Sequence, residues 1–136
     1  FDEKRSLETF EDMFFRIQSA WTKRDLTPAR DLLAPDMMTT FQTDISRYVA
    51  DHQINRLENV AVRQVEIVYA AQDQGMDYIT VKFVASLLDY TVDDRDIKVT
   101  SGRPVDPVKF LEYWTFCRKI GDKNWVLSAI TQENDY

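Results

Sequence analysis

Apolar residues recur at steps of three and four through the first third of the chain, and at steps of two beyond position 60. The pattern therefore reads as helices followed by strands. Leu7, Phe10, Phe14, Ile17 and Trp21 fall on one helical stripe, which Met13 and Ala20 widen. Asp2 or Ser6 is placed to cap this helix, and Lys23 and Arg24 stand at its C-terminal end, where the helix dipole favours cations. Thr27 as N-cap and Pro28 at the first helical position start a second, short helix that Pro35 stops. A third helix begins near Pro35 and Asp36. Its apolar stripe is Met37, Phe41, Ile45, Tyr48, Val49 and His52, and it fades between Asn55 and Asn59.

From Val60 the composition turns β-branched and aromatic. Val60 to Ala71 and Met76 to Val92 read as two strands joined by a turn at Gln74-Gly75. In the second strand Ile79, Val81, Phe83, Ala85 and Leu87 alternate with Tyr78, Thr80, Lys82, Val84 and Ser86, so one face is buried. Asp93 to Pro107 is a polar excursion, Val108 to Ile120 a third strand, and Trp125 to Gln132 a fourth. Helices segregated before an antiparallel sheet define the α+β class. Strands of this length must twist and bend at bulges. The expected architecture is N-terminal helices packed on a strongly curved antiparallel sheet, a cone with a hollow end.

The 136 residues fit one domain, read as residues 1–136. A hydrophobic fraction of 44% supplies a core, and disorder is not expected for most of the chain. The net charge of -6 disfavours a sequence-independent grip on nucleic acid. Cys117 is the one cysteine and His52 the one histidine, so neither an internal disulfide nor a zinc site is expected. Cys117 reads as buried packing. No run approaches the roughly 20 apolar residues of a membrane-spanning helix, and no signal peptide is visible. A chain beginning at Phe1 rather than Met reads as a fragment of a longer protein.

Candidate chemistry is sparse. No glycine-rich phosphate loop and no Ser/His/Asp spacing is present, and no cofactor is implied. Asp93 to Asp96 lacks the glycine and glutamate of a calcium loop and reads as a solvated turn. Strand alternation puts Phe110, Glu112, Trp114, Phe116 and Arg118 on one face. Glu112 and Arg118 either line a pocket mouth or pair with neighbouring strands over an aromatic core. Tyr90, Tyr113 and Trp125, with Asp89, are further rim candidates. The ligand-pocket set is thus Tyr90, Glu112, Tyr113, Trp114, Arg118 and Trp125, with no catalytic and no metal residue assigned. The first helix mixes Glu3, Glu8, Glu11 and Asp12 with Lys4, Arg5 and Arg16, which fits a core-facing helix better than one lying on a membrane.

The strand segments Asp77 to Phe83, Asp89 to Asp93, Phe110 to Arg118 and Trp125 to Gln132, with the helical pause at Asp25 and Pro28, resemble the Tim-forty-four-like domain. That family is typified by the C-terminal domain of the motor-anchoring subunit of the mitochondrial presequence translocase. The resemblance spans nearly the whole chain. It implies a cone-shaped fold like that of nuclear transport factor two. It also implies a non-enzymatic binding or scaffold role in a membrane-associated protein, contacting lipid headgroups or protein partners, in connection with protein translocation or membrane-protein assembly. The implied location is the bacterial inner membrane, through an N-terminal segment outside this chain, or the mitochondrial matrix side in a eukaryote. Two other readings stay open. One is a small-molecule isomerase or dehydratase, for which Asp89, Glu112, Tyr113 and His52 are the residues to test. The other is a homodimerisation module built on the open sheet face.

Overall fold

The computed structural model describes residues 2–133. Helix α1 (Glu3–Lys23) starts where the Asp2 carboxylate accepts the Arg5 N–H at 3.1 Å. It stops at Arg24, whose left-handed backbone (φ 57°) returns its N–H to the carbonyls of Ala20 and Trp21. Thr27–Leu32 is a 3-10 helix. Thr27 lies inside it rather than capping it, and its N–H is taken by the Asp25 carboxylate at 3.0 Å. Helix α2 (Pro35–Ala50) has Pro35 in its first turn, where the missing N–H has no intrahelical partner to lose. It ends earlier than its stripe predicts. His52 turns the chain with φ 55° and lies beyond the helix, while Val49 is exposed.

Five antiparallel strands follow: β1 (Gln53–Asp73), β2 (Met76–Asp93), β3 (Val99–Gly102), β4 (Val108–Lys119) and β5 (Val126–Gln132). Their order is β1-β2-β4-β5, with β3 on the edge of β2 beyond the end of β4. Gln74 (φ 49°) and Gly75 (φ 78°) form the two-residue β1–β2 turn, both in the positive-φ geometry that matches strand twist. Strand β1 begins at Gln53, inside the segment that periodicity assigns to a fading helix. There Ile54, Leu57 and Glu58 pair with Val92, Asp89 and Leu88. Strand β3 was also unforeseen: all four of its residues are exposed, so no alternation marks it.

A straight 21-residue strand would run roughly 70 Å, against a radius of gyration of about 14 Å for a compact chain of this size. Strand β1 resolves the conflict with register shifts at Glu58/Ala61, Val62/Gln64 and Ile67/Tyr69. Each bulge bends and twists the β1–β2 ribbon. The helices pack on the concave face so made. Phe10 stacks on Phe116 with ring centroids 4.4 Å apart, and Phe14 stacks on Phe83 at 4.5 Å and lies 4.8 Å from Trp114. All five of these rings are essentially inaccessible to solvent, each contributing about 1.5–3 kcal/mol through burial. Cys117 is buried on the other face, and burial pushes its thiol pKa up.

The end of α1 is tied to the start of β1 by ionic contacts. The Arg24 guanidinium donates to the Gln53 carbonyl at 3.0 Å and to Asp94 at 2.9 Å, and His52 Nδ1 sits 3.3 Å from the other Asp94 oxygen. Hydrogen bonds from Arg24, then His52, hold the Asp94 carboxyl below the ordinary carboxylate range. A carboxylate depressed in the folded state stabilises the fold above its unfolded pKa, about 3.9, and loses that contribution as pH falls through the folded value. Urea midpoints of the wild type and Asp94→Asn should therefore differ by their full amount above about pH 5 and converge as the pH falls below about 4. A gap that stays constant from pH 6 to pH 3 contradicts the assignment.

Candidate functional site

Beyond the aromatic core, α1 and α2 diverge from the sheet and leave a cavity of about 600 Å³ at the mouth of the concave face. Its apolar walls include Trp21 from α1, Phe41 from α2, Leu57 from β1, Leu87 from β2, and Phe110 and Trp114 from β4. The alternation that buries Phe83 and Trp114 also turns Asp89 and Glu112 to this side, because all four share the inward parity of their strands.

Two hydrogen-bonded groups line the mouth. In the first, the Trp21 indole N–H donates to Asn55 Oδ1 at 2.9 Å. The Asn55 amide in turn donates to Asp89 Oδ1 at 2.8 Å and to the Tyr90 carbonyl at 3.2 Å. In the second, Glu112 Oε1 accepts the Trp114 indole N–H at 3.0 Å and Oε2 accepts the Gln132 amide at 2.8 Å. Asp44 lies at the α2 side of the rim, 3.3 Å from Arg47. Asn55→Leu removes the acceptor of a partly buried indole, so it should cost about 1–2 kcal/mol. Urea denaturation of that variant, followed by tryptophan emission, measures the loss.

The candidate residues distribute over three places. Glu112 and Trp114 line the mouth. Arg118 and Trp125 line a second cavity, of about 480 Å³, at the β1–β2 hairpin end. There the Arg118 guanidinium lies 4.2 Å from the Trp125 ring centroid, and its Nε donates to Asp77 at 3.2 Å. Tyr90 and Tyr113 have the opposite parity and face the other side of the sheet. The Tyr90 hydroxyl donates to Glu58 at 2.7 Å. Burial pushes the Tyr113 hydroxyl pKa up, and a hydrogen bond with Glu133 acts in the same direction.

The four residues of the acid–base reading do not meet. His52 is paired with Asp94 outside the mouth, and Tyr113 is on the far face. Only Asp89 and Glu112 share the cavity, and Glu112 pairs in register with Phe83, six residues back from Asp89 along β2. Asn55, Trp21, Asp44 and Gln132 were not legible as site residues. Asn55 fell in the misread helix end, and Trp21 read as core, although an indole N–H on an apolar stripe is a signal that a polar partner is near. Among the described residues, no group of three or more His, Cys, Asp or Glu side chains is placed to hold a metal. The carboxylates of the 93–96 turn are engaged instead: Asp93 accepts the Arg95 N–H and guanidinium, and Asp96 the Lys98 N–H.

Helices laid across the concave side of an antiparallel sheet, with an open mouth beyond the core, define the architecture of a small cone-like α+β domain. The sequence profile of the Tim44-like domain matches residues 1–132, and the chain belongs to that family. Among solved structures, it is similar to the intermembrane space region of the chloroplast protein ARC6, with a TM-score of 0.55 and 10% identity over 93% of this chain and 95% of that one. At that identity the likeness concerns the fold. No curated protein matches the chain. No helix among the described residues is long and apolar enough to cross a membrane, which says nothing of a β-barrel.

Proposed function

We propose that this is a non-enzymatic binding domain of a membrane-associated protein, with the mouth cavity as its contact surface, serving protein translocation or membrane-protein assembly. Membership of the Tim44-like family supports the membrane setting. The observation that carries the binding surface is the cavity itself: about 600 Å³, walled by aromatic and aliphatic side chains, with a few oriented polar groups. Asp89 and Glu112 are held by indole and amide donors, an arrangement that orients a ligand without supplying a proton-transfer partner. The cations of α1 fit direct anionic-lipid contact less well. Arg24 is committed to Asp94, and Arg16 lies 3.8 Å from Asp12, leaving Lys4, Arg5 and Lys23.

A plug at the rim tests the reading. Val108 is 45% exposed and lines the mouth, so Val108→Trp fills space without disturbing the core. Titration with the neutral fluorescent probe N-phenyl-1-naphthylamine should show saturable binding to the wild type. At unchanged circular dichroism, the variant should bind at least about fivefold more weakly, the scale of one lost apolar contact surface. Equal binding by both proteins would remove the mouth as the contact surface. Co-sedimentation with neutral and cardiolipin-containing vesicles tests the lipid alternative. Binding that needs anionic lipid and weakens with salt would move the contact surface to Lys4, Arg5 and Lys23.

A further inference from the structure

We propose that the mouth cavity is a site for a small organic cation, an ammonium group carried on an apolar body. This rests on the mouth being a binding surface and adds the chemistry of what binds there.

Among the described residues, no lysine, arginine or histidine lines the mouth, while Asp44, Asp89 and Glu112 do. Asp44 is paired with Arg47, which stands outside the lining, so the uncompensated charge is on the other two. Glu112 is half-buried, and both its oxygens are held by neutral donors, an indole N–H and an amide. Asp89 gives one oxygen to the Asn55 amide, and its Oδ2 has no hydrogen-bond partner among the described residues. By contrast, three partly buried carboxylates outside the mouth have a guanidinium partner: Asp77 is paired with Arg118, Asp93 with Arg95, and Asp94 with Arg24. Glu112 is partly withdrawn from water without a counter-charge, Asp89 stands exposed at the rim, and an entering cation pairs with both.

The walls fit the rest of such a ligand. Trp21, Phe41, Phe110 and Trp114 surround the same space, and aromatic rings attract ammonium groups as well as covering apolar surface. The volume lies within the range of small-molecule sites, and six elements border this half-open space, which favours a compact ligand over a partner's helix. An anionic headgroup would meet like charge at Asp89 and Glu112.

The test is calorimetric titration with three probes sharing one stem: hexylammonium, 1-hexanol and hexanoate, at pH 7 and low salt. Hexylammonium should bind at least about fivefold tighter than hexanol, as expected for an ion pair at a partly solvated site, with hexanoate the weakest. Glu112→Gln and Asp89→Asn should each lower the ratio of hexylammonium to hexanol affinity, which reads the charge apart from any change in the cavity itself. The series on the wild type decides the matter even where a variant fails to fold. Hexanol binding with no preference for the cation overturns the charge inference and leaves the mouth as a contact surface. Binding of none of the three overturns both.

Discussion

Phe14→Ala should destabilise the domain by about 3–5 kcal/mol, the range for emptying a fully buried aromatic site. Phe14 is inaccessible to solvent and lies between Phe83 at 4.5 Å, Trp114 at 4.8 Å and Phe110 at 6.2 Å. It joins α1 to two strands, so its loss removes packing between the layers rather than within one. Natural domains have only about 5–15 kcal/mol in hand, and the variant should unfold at a much lower urea concentration. Phe15→Ala is the internal control. Phe15 is 40% exposed, and its truncation should cost about 1 kcal/mol, well below the loss at Phe14. Equal losses in the two variants would contradict the placement of α1 on the sheet.

Gly102→Ala should cost about 2–4 kcal/mol, combining left-handed strain with overpacking. A Cβ there would stand 2.6 Å from the Asp89 carbonyl oxygen and 2.9 Å from Tyr90 Cα, both backbone atoms that cannot turn aside, and φ is +75°. Strand β3 would be pushed off β2 beside Asp89, so ligand binding at the mouth should weaken together with stability. Gly75→Ala separates the two causes. Its φ is +78° but its added Cβ meets nothing within 4 Å, so only the strain of about 1–2 kcal/mol applies. Thermal and urea unfolding of both variants give the comparison.

What could be read from the sequence divides along local and non-local lines. The α1 stripe, the alternation of β2 and the Gln74-Gly75 turn are local signals, and each lies where expected. The shared face of Phe110, Glu112, Trp114, Phe116 and Arg118 was legible too. That this face is divided by α1 was not: Glu112 lies at the mouth, while Arg118 lies at the hairpin end beside Trp125. A face is a property of one strand, whereas a cavity depends on which part of it a helix covers. The start of β1 was lost because Ile54 and Leu57 suit a helical stripe as well as a strand, and pairing with Val92 and Asp89 decides between them. Strand β3 exists only through its bonds to Tyr90, Thr91 and Val92. The polar half of the mouth, Asn55 bridging Trp21 and Asp89, joins residues 34 apart on either side. No window of local periodicity spans that distance.

The three tryptophans report separately on the two cavities, Trp21 and Trp114 at the mouth and Trp125 at the hairpin end. Titrating N-phenyl-1-naphthylamine into nitrogen-15-labelled protein and following the three indole N–H resonances therefore tests the mouth assignment most directly. The account predicts that the Trp21 and Trp114 resonances move together to saturation while Trp125 stays in place. Movement of Trp125 alone, or of none, would contradict it.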